Sequence, residues 1–315
     1  MQKYIIKKIS EEKAQHIWNV SSNASIYTNP NFLKLQKGKY YWICAYKGDE
    51  EICAWPLMIE KKNLIIPNFF YYFGPIWKNY DSIKNHSWLS LSKNIYELFI
   101  KYFDKNFKKI DFQLDYNLLD VRIFDWWKYG VKKGRYNIKP KYSALIENLD
   151  KKNEAQILSD FRYWRRKEVK ILLNNPNIIR DDNVKLKEIS DLYRKIVFPN
   201  KKKLDKELLK HLNGLYQAVI NGFGKFICFR ENDVLQSFSL ILLDKKSAHL
   251  VLTLTDEKYK KKGLGALNIF SCIKIAKNVE KKIFDFNGAN SPDRGDDKHS
   301  YGAKSKLFFE INKNV

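Results

Sequence analysis

Cysteine is scarce. The 315 residues hold four, Cys44, Cys53, Cys228 and Cys272, with no CxxC pair and no Cys/His cluster. That excludes a disulfide-stapled secreted scaffold and a cysteine-based zinc site, and it points to reduced, buried thiols in a cytoplasmic protein. No metal site of any other kind is visible. Long apolar runs are absent too. The most apolar stretch, Ile65 to Trp77 (IIPNFFYYFGPIW), is interrupted by two prolines and is too short to cross a bilayer. The start, MQKYIIKKIS, has no apolar h-region and no small-residue cleavage site, so no signal peptide is expected. No Ser/Gly-rich or Pro-rich linker and no short repeat divides the chain.

Acidic residues are few against basic ones: 35 Asp and Glu face 58 Lys and Arg, a formal net charge of +23. Such a balance points to polyanionic partners such as nucleic acid, phosphate groups or an anionic membrane face. Lys, Asn and Ile are abundant together, as in KKNLIIPN and NNPNIIRDDN. All three have A/T-rich codons, so gene composition alone could load the surface with lysine. What the chain does have is apolar material, 44% hydrophobic and 15% aromatic residues, which excludes disorder. Its length suits two domains of about 150 residues.

The elements alternate in type. Tyr4–Ile9 reads as a strand and Glu11–Val20 as a helix with Ser10 as N-cap. A helical turn or two is expected over Pro30–Gln36. Tyr40–Tyr46 and Ile52–Glu60 read as a hairpin around Lys47-Gly48-Asp49-Glu50, with Pro56 placing the second strand at an edge or a bulge. Ser92–Phe103 and Asp120–Tyr129 read as helices, and Lys109–Leu114 and Lys141–Ile146 as strands. Glu154–Asn174 reads as one long basic helix, followed by helices Val184–Val197 and Asp205–Asn221. Lys225–Arg230, Val234–Leu243 and Ala248–Leu254 form an antiparallel meander. Helix Ala266–Asn278 and strands Lys282–Asn287 and Lys306–Ile311 close the chain. The expected class is α+β (mixed α/β).

The unit that carries chemistry is strand Ala248–Leu254, a basic glycine-rich turn (Tyr259-Lys260-Lys261-Lys262-Gly263-Leu264-Gly265-Ala266), a helix and a strand. Small residues let successive amides approach a ligand, the helix N-terminus favours anions, and Lys260, Lys261 and Lys262 add charge where a pyrophosphate would lie. There is no GxxxxGK[ST] P-loop, and the antiparallel strands before the turn exclude a Rossmann fingerprint.

Lys260-x-x-Gly263-x-Gly265 resembles the [Q/R]-x-x-G-x-[G/A] turn of the GNAT superfamily of N-acetyltransferases, with Lys in place of Gln or Arg. Downstream, Phe284-Asp285-Phe286-Asn287-Gly288-Ala289-Asn290-Ser291-Pro292, Arg294-Gly295, Lys298 and Tyr301-Gly302-Ala303 resemble the ending of the FemAB-like branch of these acyltransferases. That branch includes peptidoglycan aminoacyltransferases and proteins of polysaccharide gene clusters. Upstream, Tyr27-Thr28-Asn29-Pro30-Asn31-Phe32-Leu33, Tyr72-Phe73-Gly74-Pro75 and the basic segment Leu158…Phe161…Arg165-Arg166…Val169-Lys170 resemble further segments of the branch, in order along most of the chain. Tyr72 departs from the usual polar residue.

The resemblance implies two tandem GNAT-like domains facing a shared cleft. Each is a mostly antiparallel central sheet flanked by helices: a degenerate one over 1–147 and one carrying the acyl-donor turn over 148–315. It implies an N-acyltransferase that uses acyl-coenzyme A, held by Lys260, Lys261, Lys262, Gly263, Leu264, Gly265 and Ala266. The acceptor would be an amino group of a nucleotide-linked sugar or another phosphate-bearing cell-envelope precursor. The alternative within the branch is an aminoacyl-tRNA-dependent ligase of peptidoglycan type, for which tRNA would be a partner. Peripheral membrane contact is open, and so is the oligomeric state. A non-catalytic nucleic-acid-binding protein is the competing class, and no helix-turn-helix, RRM or KH signature supports it.

Asp285, inside the apolar strand Phe284–Phe286, is the expected base, its pKa raised by partial burial. Lys298 and Tyr301 complete the expected catalytic set. The backbone amides of Ala248–Leu254 are expected oxyanion donors, because GNAT folds splay that strand from its neighbour. Substrate contacts are expected from Arg165, Arg166 and Lys170 on one helix, from Arg294 and His299, and from Tyr72 beside the Gly74-Pro75 turn. Trp164 and Tyr163 are expected in the core.

Overall fold

The computed structural model describes residues 4–131 and 133–314, with only the main chain of Asp293 and Arg294. It divides into two compact units, Met1–Lys141 with Leu307–Val315, and Tyr142–Lys306. The first contains β1 (Tyr4–Ile9), α1 (Glu11–Val20), α2 (Pro30–Leu33), β2 (Tyr40–Lys47), β3 (Glu50–Glu60), β4 (Asn63–Leu64), β5 (Ile76–Trp77), α3 (Asn85–Asn106), β6 (Lys109–Gln113), α4 (Arg122–Trp126) and the start of β7 (Asn137–Ile146). The second continues with α5 (Glu154–Asp160), α6 (Tyr163–Leu173), β8 (Ile179–Arg180), α7 (Leu186–Val197), α8 (Lys206–Ile220), β9 (Gly224–Glu231), β10 (Val234–Leu243) and β11 (Ser247–Thr255). It ends with α9 (Glu257–Lys260), α10 (Leu264–Asn278), β12 (Ile283–Asp285), α11 (Pro292–His299) and the start of β13 (Lys304–Asn314). The remainder of β13, Glu310–Asn314, pairs antiparallel with β6, so the last residues belong to the first unit rather than to a contiguous second half.

In the first unit the strands run β1-β2-β3-β4-β6-β13, and all these pairs are antiparallel except β4–β6. Local chemistry sets the ends. Ser10 Oγ accepts from the Lys13 amide at 3.2 Å and caps α1. Pro56 was expected at an edge or a bulge, yet β3 is an inner strand. Its other neighbours pair only at Cys53–Ala54 and at Ile59–Glu60, and Pro56 falls in the gap between them, where its missing N–H leaves no ladder bond unmade. The core is aromatic: Trp55 is ringed by Tyr96, Phe99, Phe103 and Phe112, with centroids 4.9 to 6.3 Å away and mostly edge-to-face.

In the second unit the order is β12-β11-β10-β9-β8, with Leu145 and Ile146 of β7 pairing β12. The pairs are antiparallel except β11–β12. Helix α10 is buried along most of its length against this sheet. The expected single helix Glu154–Asn174 is two, α5 and α6, because Phe161 and Arg162 are extended. Phe161 packs on Tyr301 and Phe270, and the Arg162 amide donates to the Ser300 carbonyl at 2.7 Å. Between the expected strands Lys282–Asn287 and Lys306–Ile311, where no element was read, lies α11. Its sequence PDRGDDKH has no apolar stripe, so hydrophobic periodicity could not reveal it.

Trp55→Ala empties the centre of the aromatic cluster. It should cost about 3–5 kcal/mol, read from the midpoint of a urea unfolding curve.

Candidate functional site

Strand β11 meets β12 over three register pairs only, Ser247–Ile283, Ala248–Phe284 and His249–Asp285. The chain of β12 then turns away through Asn287 (φ 50°) and Gly288 (φ 64°). Asn287 Nδ2 reaches back to the Leu250 carbonyl at 3.2 Å. From Leu250 onward β11 continues to Thr255 with no strand of the described residues paired on that side. Beside this open edge lies a pocket of about 250 Å³, all of whose lining belongs to the second unit. Thr253, Leu254 and Thr255 line it from β11, and Gly265, Ala266 and Ile269 from α10. Ile196, Lys260, Arg165, Asp297 and Tyr301 complete the wall.

The glycine-rich turn stands at the head of this pocket. Asp256 caps α9 by accepting from the Lys258 amide at 3.0 Å and pairs with the Lys195 ammonium, which first among its partners holds its pKa below the ordinary value. Gly263 takes φ 89° and is the N-cap of α10. A side chain there would meet Glu168 of α6, 2.6 Å from an added Cβ, so glycine is required twice, by backbone and by space. The amides of Lys260, Lys261, Lys262 and Gly263 all donate inside the turn, to Asp256, Glu257, Tyr259 and Lys260 carbonyls. The expected cradle of successive amides is therefore largely spent. By helix geometry the Leu264 and Gly265 amides, at the first two helical positions, have no intrahelical acceptor. Leu264 is buried and Gly265 faces the pocket. An added Cβ on Gly265 would have only Thr255 Oγ1 within 4 Å, at 3.6 Å. Lys261 and Lys262 are exposed, with Lys262 over the Tyr259 ring.

Opposite the turn, Arg165 spends its guanidinium on the protein. It donates to Asp297 Oδ1 at 2.7 Å, Glu168 Oε2 at 3.0 Å and Ser300 Oγ at 3.3 Å, and it lies over the Tyr301 ring. Tyr301 is buried, stacked on Phe286. Burial, with Asp297 beyond it, pushes its phenol well above the ordinary range, so it stays protonated. Lys298 is not free for a substrate. Its ammonium donates to the carbonyls of Phe286 at 2.9 Å and Asn287 at 2.7 Å, and also to that of Gly288. It is a positioning residue that ties α11 to the turn after β12. His299 likewise serves the next bend, with Nδ1 2.7 Å from the Ala303 carbonyl and Nε2 3.0 Å from Ser305 Oγ.

Asp285, expected as the base, is fully buried and absent from the pocket wall. Its Oδ1 accepts from Ser143 Oγ and from the Asn287 amide, and its Oδ2 lies 3.4 Å from His249 Nδ1. The other imidazole nitrogen, Nε2, is 2.7 Å from Asp244 Oδ2. Burial alone would pull the His249 pKa down, but Asp244 and Asp285 outweigh it and raise it to about 10. Burial likewise opposes the charge on Asp244, and His249 overcomes it, holding that pKa low. The result is an imidazolium between two carboxylates, set where β11 and β12 still pair. The register His249–Asp285 creates it.

The remaining candidates lie elsewhere. Arg166 is half-buried and donates to the Ser159 carbonyl at 3.4 Å, while Lys170 is exposed; neither lines the pocket. Tyr72 belongs to the first unit, buried against Tyr116 and Phe308, so its ring is not offered to a ligand. The Arg294 side chain lies outside the described residues. Trp164 and Tyr163, expected in the core, are exposed. Sequence reasoning missed Asp297, Glu168, Thr255 and Ile196, while Thr253 lies on Ala248–Leu254, the strand whose amides it named. Only Asp297, three residues before the Ser300-Tyr301 step of the recognised ending, carried a signal that could have found it.

Breaking a buried charge pair on one side costs about 3–5 kcal/mol, and His249→Gln should lose that much near neutral pH in urea unfolding. The folded imidazole keeps its proton to about pH 10, against an ordinary 6.5. Its stabilisation is full below about 6.5, shrinks as the pH rises and is gone above about 10. The gap between wild type and His249→Gln should narrow across that window.

No protein-family model matches the chain, and no curated protein matches it. Solved structures do. The chain is similar to FemX at 12% identity, covering 98% of this chain and 97% of that one with a TM-score of 0.66. It is similar to L-PGS from Bacillus licheniformis at 11% identity, covering 98% and 93%, with a TM-score of 0.59. It is also similar to a tandem GNAT protein from the clavulanic acid biosynthesis pathway at 8% identity, covering 98% of each chain, with a TM-score of 0.57. At these identities the likeness is one of architecture, and it shows that the chain has a mixed α/β, tandem GNAT-like fold.

Proposed function

We propose that the second unit is an N-acyltransferase that moves an acyl group from acyl-coenzyme A to an amine by direct attack. The observation that carries this reading is the unpaired edge of β11 facing a pocket that also holds a protonated tyrosine, a carboxylate and the head of α10. Amides on an unpaired strand edge are preorganised donors for negative charge building on a carbonyl oxygen. Coenzyme A, when bound, supplies an activated carbonyl and a good leaving group. Lys260 and the Gly265 amide would hold its phosphates, with the α10 N-terminus adding its dipole. Asp297 is the one carboxylate among the described lining residues and takes the proton from the attacking amine. Tyr301, kept protonated by burial, donates a hydrogen bond to the departing sulfur, which takes its proton from water, and Arg165 holds both groups in place. The acceptor class is a nucleotide-linked amino sugar or a similar cell-envelope precursor, as the sequence resemblance implies, and a coenzyme A donor sets the reaction in the cytoplasm. Among the described residues no helix is long and apolar enough to cross a membrane.

One observation favours a second reading, an aminoacyl ester on tRNA as donor. The amides of Lys260 to Gly263 are spent within their own turn, so the phosphate site is narrower than a full cradle.

Coenzyme A should raise the melting temperature by several degrees, and Gly265→Glu, which fills the pocket without a main-chain clash, should abolish that shift. Tyr301→Phe should keep the shift and lower acyl transfer by about 10²-fold or more. A melt indifferent to coenzyme A and acetyl-coenzyme A, with aminoacyl transfer from charged tRNA, selects the second reading.

A further inference from the structure

Helix α6 is buried on one side only. Val169 and Leu172 face the core, and Arg165 and Glu168 face the pocket and its turn. On the other side Tyr163 is 58% exposed, Trp164 62% and Ile171 59%. Helical spacing gathers Tyr163, Trp164, Lys167, Lys170 and Ile171 into one arc of about 120°. Trp164 meets Tyr163 edge-to-face at 5.2 Å, and Lys167 lies over its ring at 5.1 Å. Three apolar residues gathered on one face of an 11-residue helix, left in water beside cations, are costly to keep unless something covers them.

We infer that this face of α6 docks on an anionic membrane surface. Tyrosine and tryptophan suit the boundary between headgroups and acyl chains. Lys167 and Lys170 can lay their stems on the apolar surface and reach lipid phosphates with their heads, and Arg166 flanks them. Single-stranded nucleic acid would use the rings for stacking and the lysines for phosphates. It has no use for Ile171, which neither stacks nor hydrogen-bonds, and this residue decides for a bilayer. The inference does not depend on which acyl donor the pocket takes, since none of these side chains lines it.

The test is co-sedimentation with vesicles of phosphatidylcholine alone and with roughly one-third phosphatidylglycerol. Wild type should partition onto the anionic vesicles. Trp164→Ser with Ile171→Ser keeps every charge and should lower that partition about tenfold or more, with an unchanged melting temperature. Lys167→Glu with Lys170→Glu should weaken binding to the anionic vesicles. Equal binding by the serine variant would mean that net charge alone does the work and would overturn the inference. So would failure of wild type to bind, or binding of a single-stranded RNA, weakened by Trp164→Ser, in place of vesicles.

Discussion

A buried imidazolium between two carboxylates organises the second unit. His249 stands on β11, Asp285 on β12 and Asp244 at the hairpin that feeds β11, so one side chain holds three segments at the point where the two parallel strands begin to part. Charge buried this deeply is tolerated only if it is matched on both sides, and the matching fixes the register. Everything downstream inherits that register. Asp285 receives the Asn287 amide, Asn287 and Gly288 turn the chain off the sheet, and their carbonyls hold Lys298. Asp297 and Tyr301 of the pocket flank Lys298, at α11 and just after it. The open strand edge and the groups facing it are thus two results of one electrostatic constraint.

Division of labour among the motif residues follows. The ending FDFNGANSP…K..YGA mixes side chains that build the site with side chains that face it. Asp285, Lys298 and His299 build, each spending its polar atoms on neighbouring protein groups. Tyr301 faces the pocket. The glycine-rich turn divides in the same way. Gly263 makes room for α6, while Gly265 leaves the helix head open.

What could be read beforehand was whatever local chemistry decides. Ser10 caps its helix as its position implied, the hairpin and the meander fall where turn residues punctuate apolar strands, and the lysine-flanked glycines open α10. What could not be read depends on partners far along the chain. Phe161 and Arg162 look helical by themselves, and a carbonyl at Ser300 makes them extended. That break, with the faces α6 then buries, leaves Trp164 exposed, although an aromatic residue amid apolar ones reads as core. Asp285 reads as a base because it is a carboxylate in an apolar strand. Its actual role is set by a histidine 36 positions earlier in sequence and directly beside it in the sheet.

The contact between Glu168 and Gly263 has a mechanical meaning. An added Cβ on Gly263 would lie 2.6 Å from the Glu168 Cβ, so helix and turn are in hard contact with no slack between them. Close-packed parts of this kind transmit displacement rather than absorb it. The same helix thus packs on the turn with its inner face, while its outer face stays exposed. A shift of the helix is therefore felt at the turn.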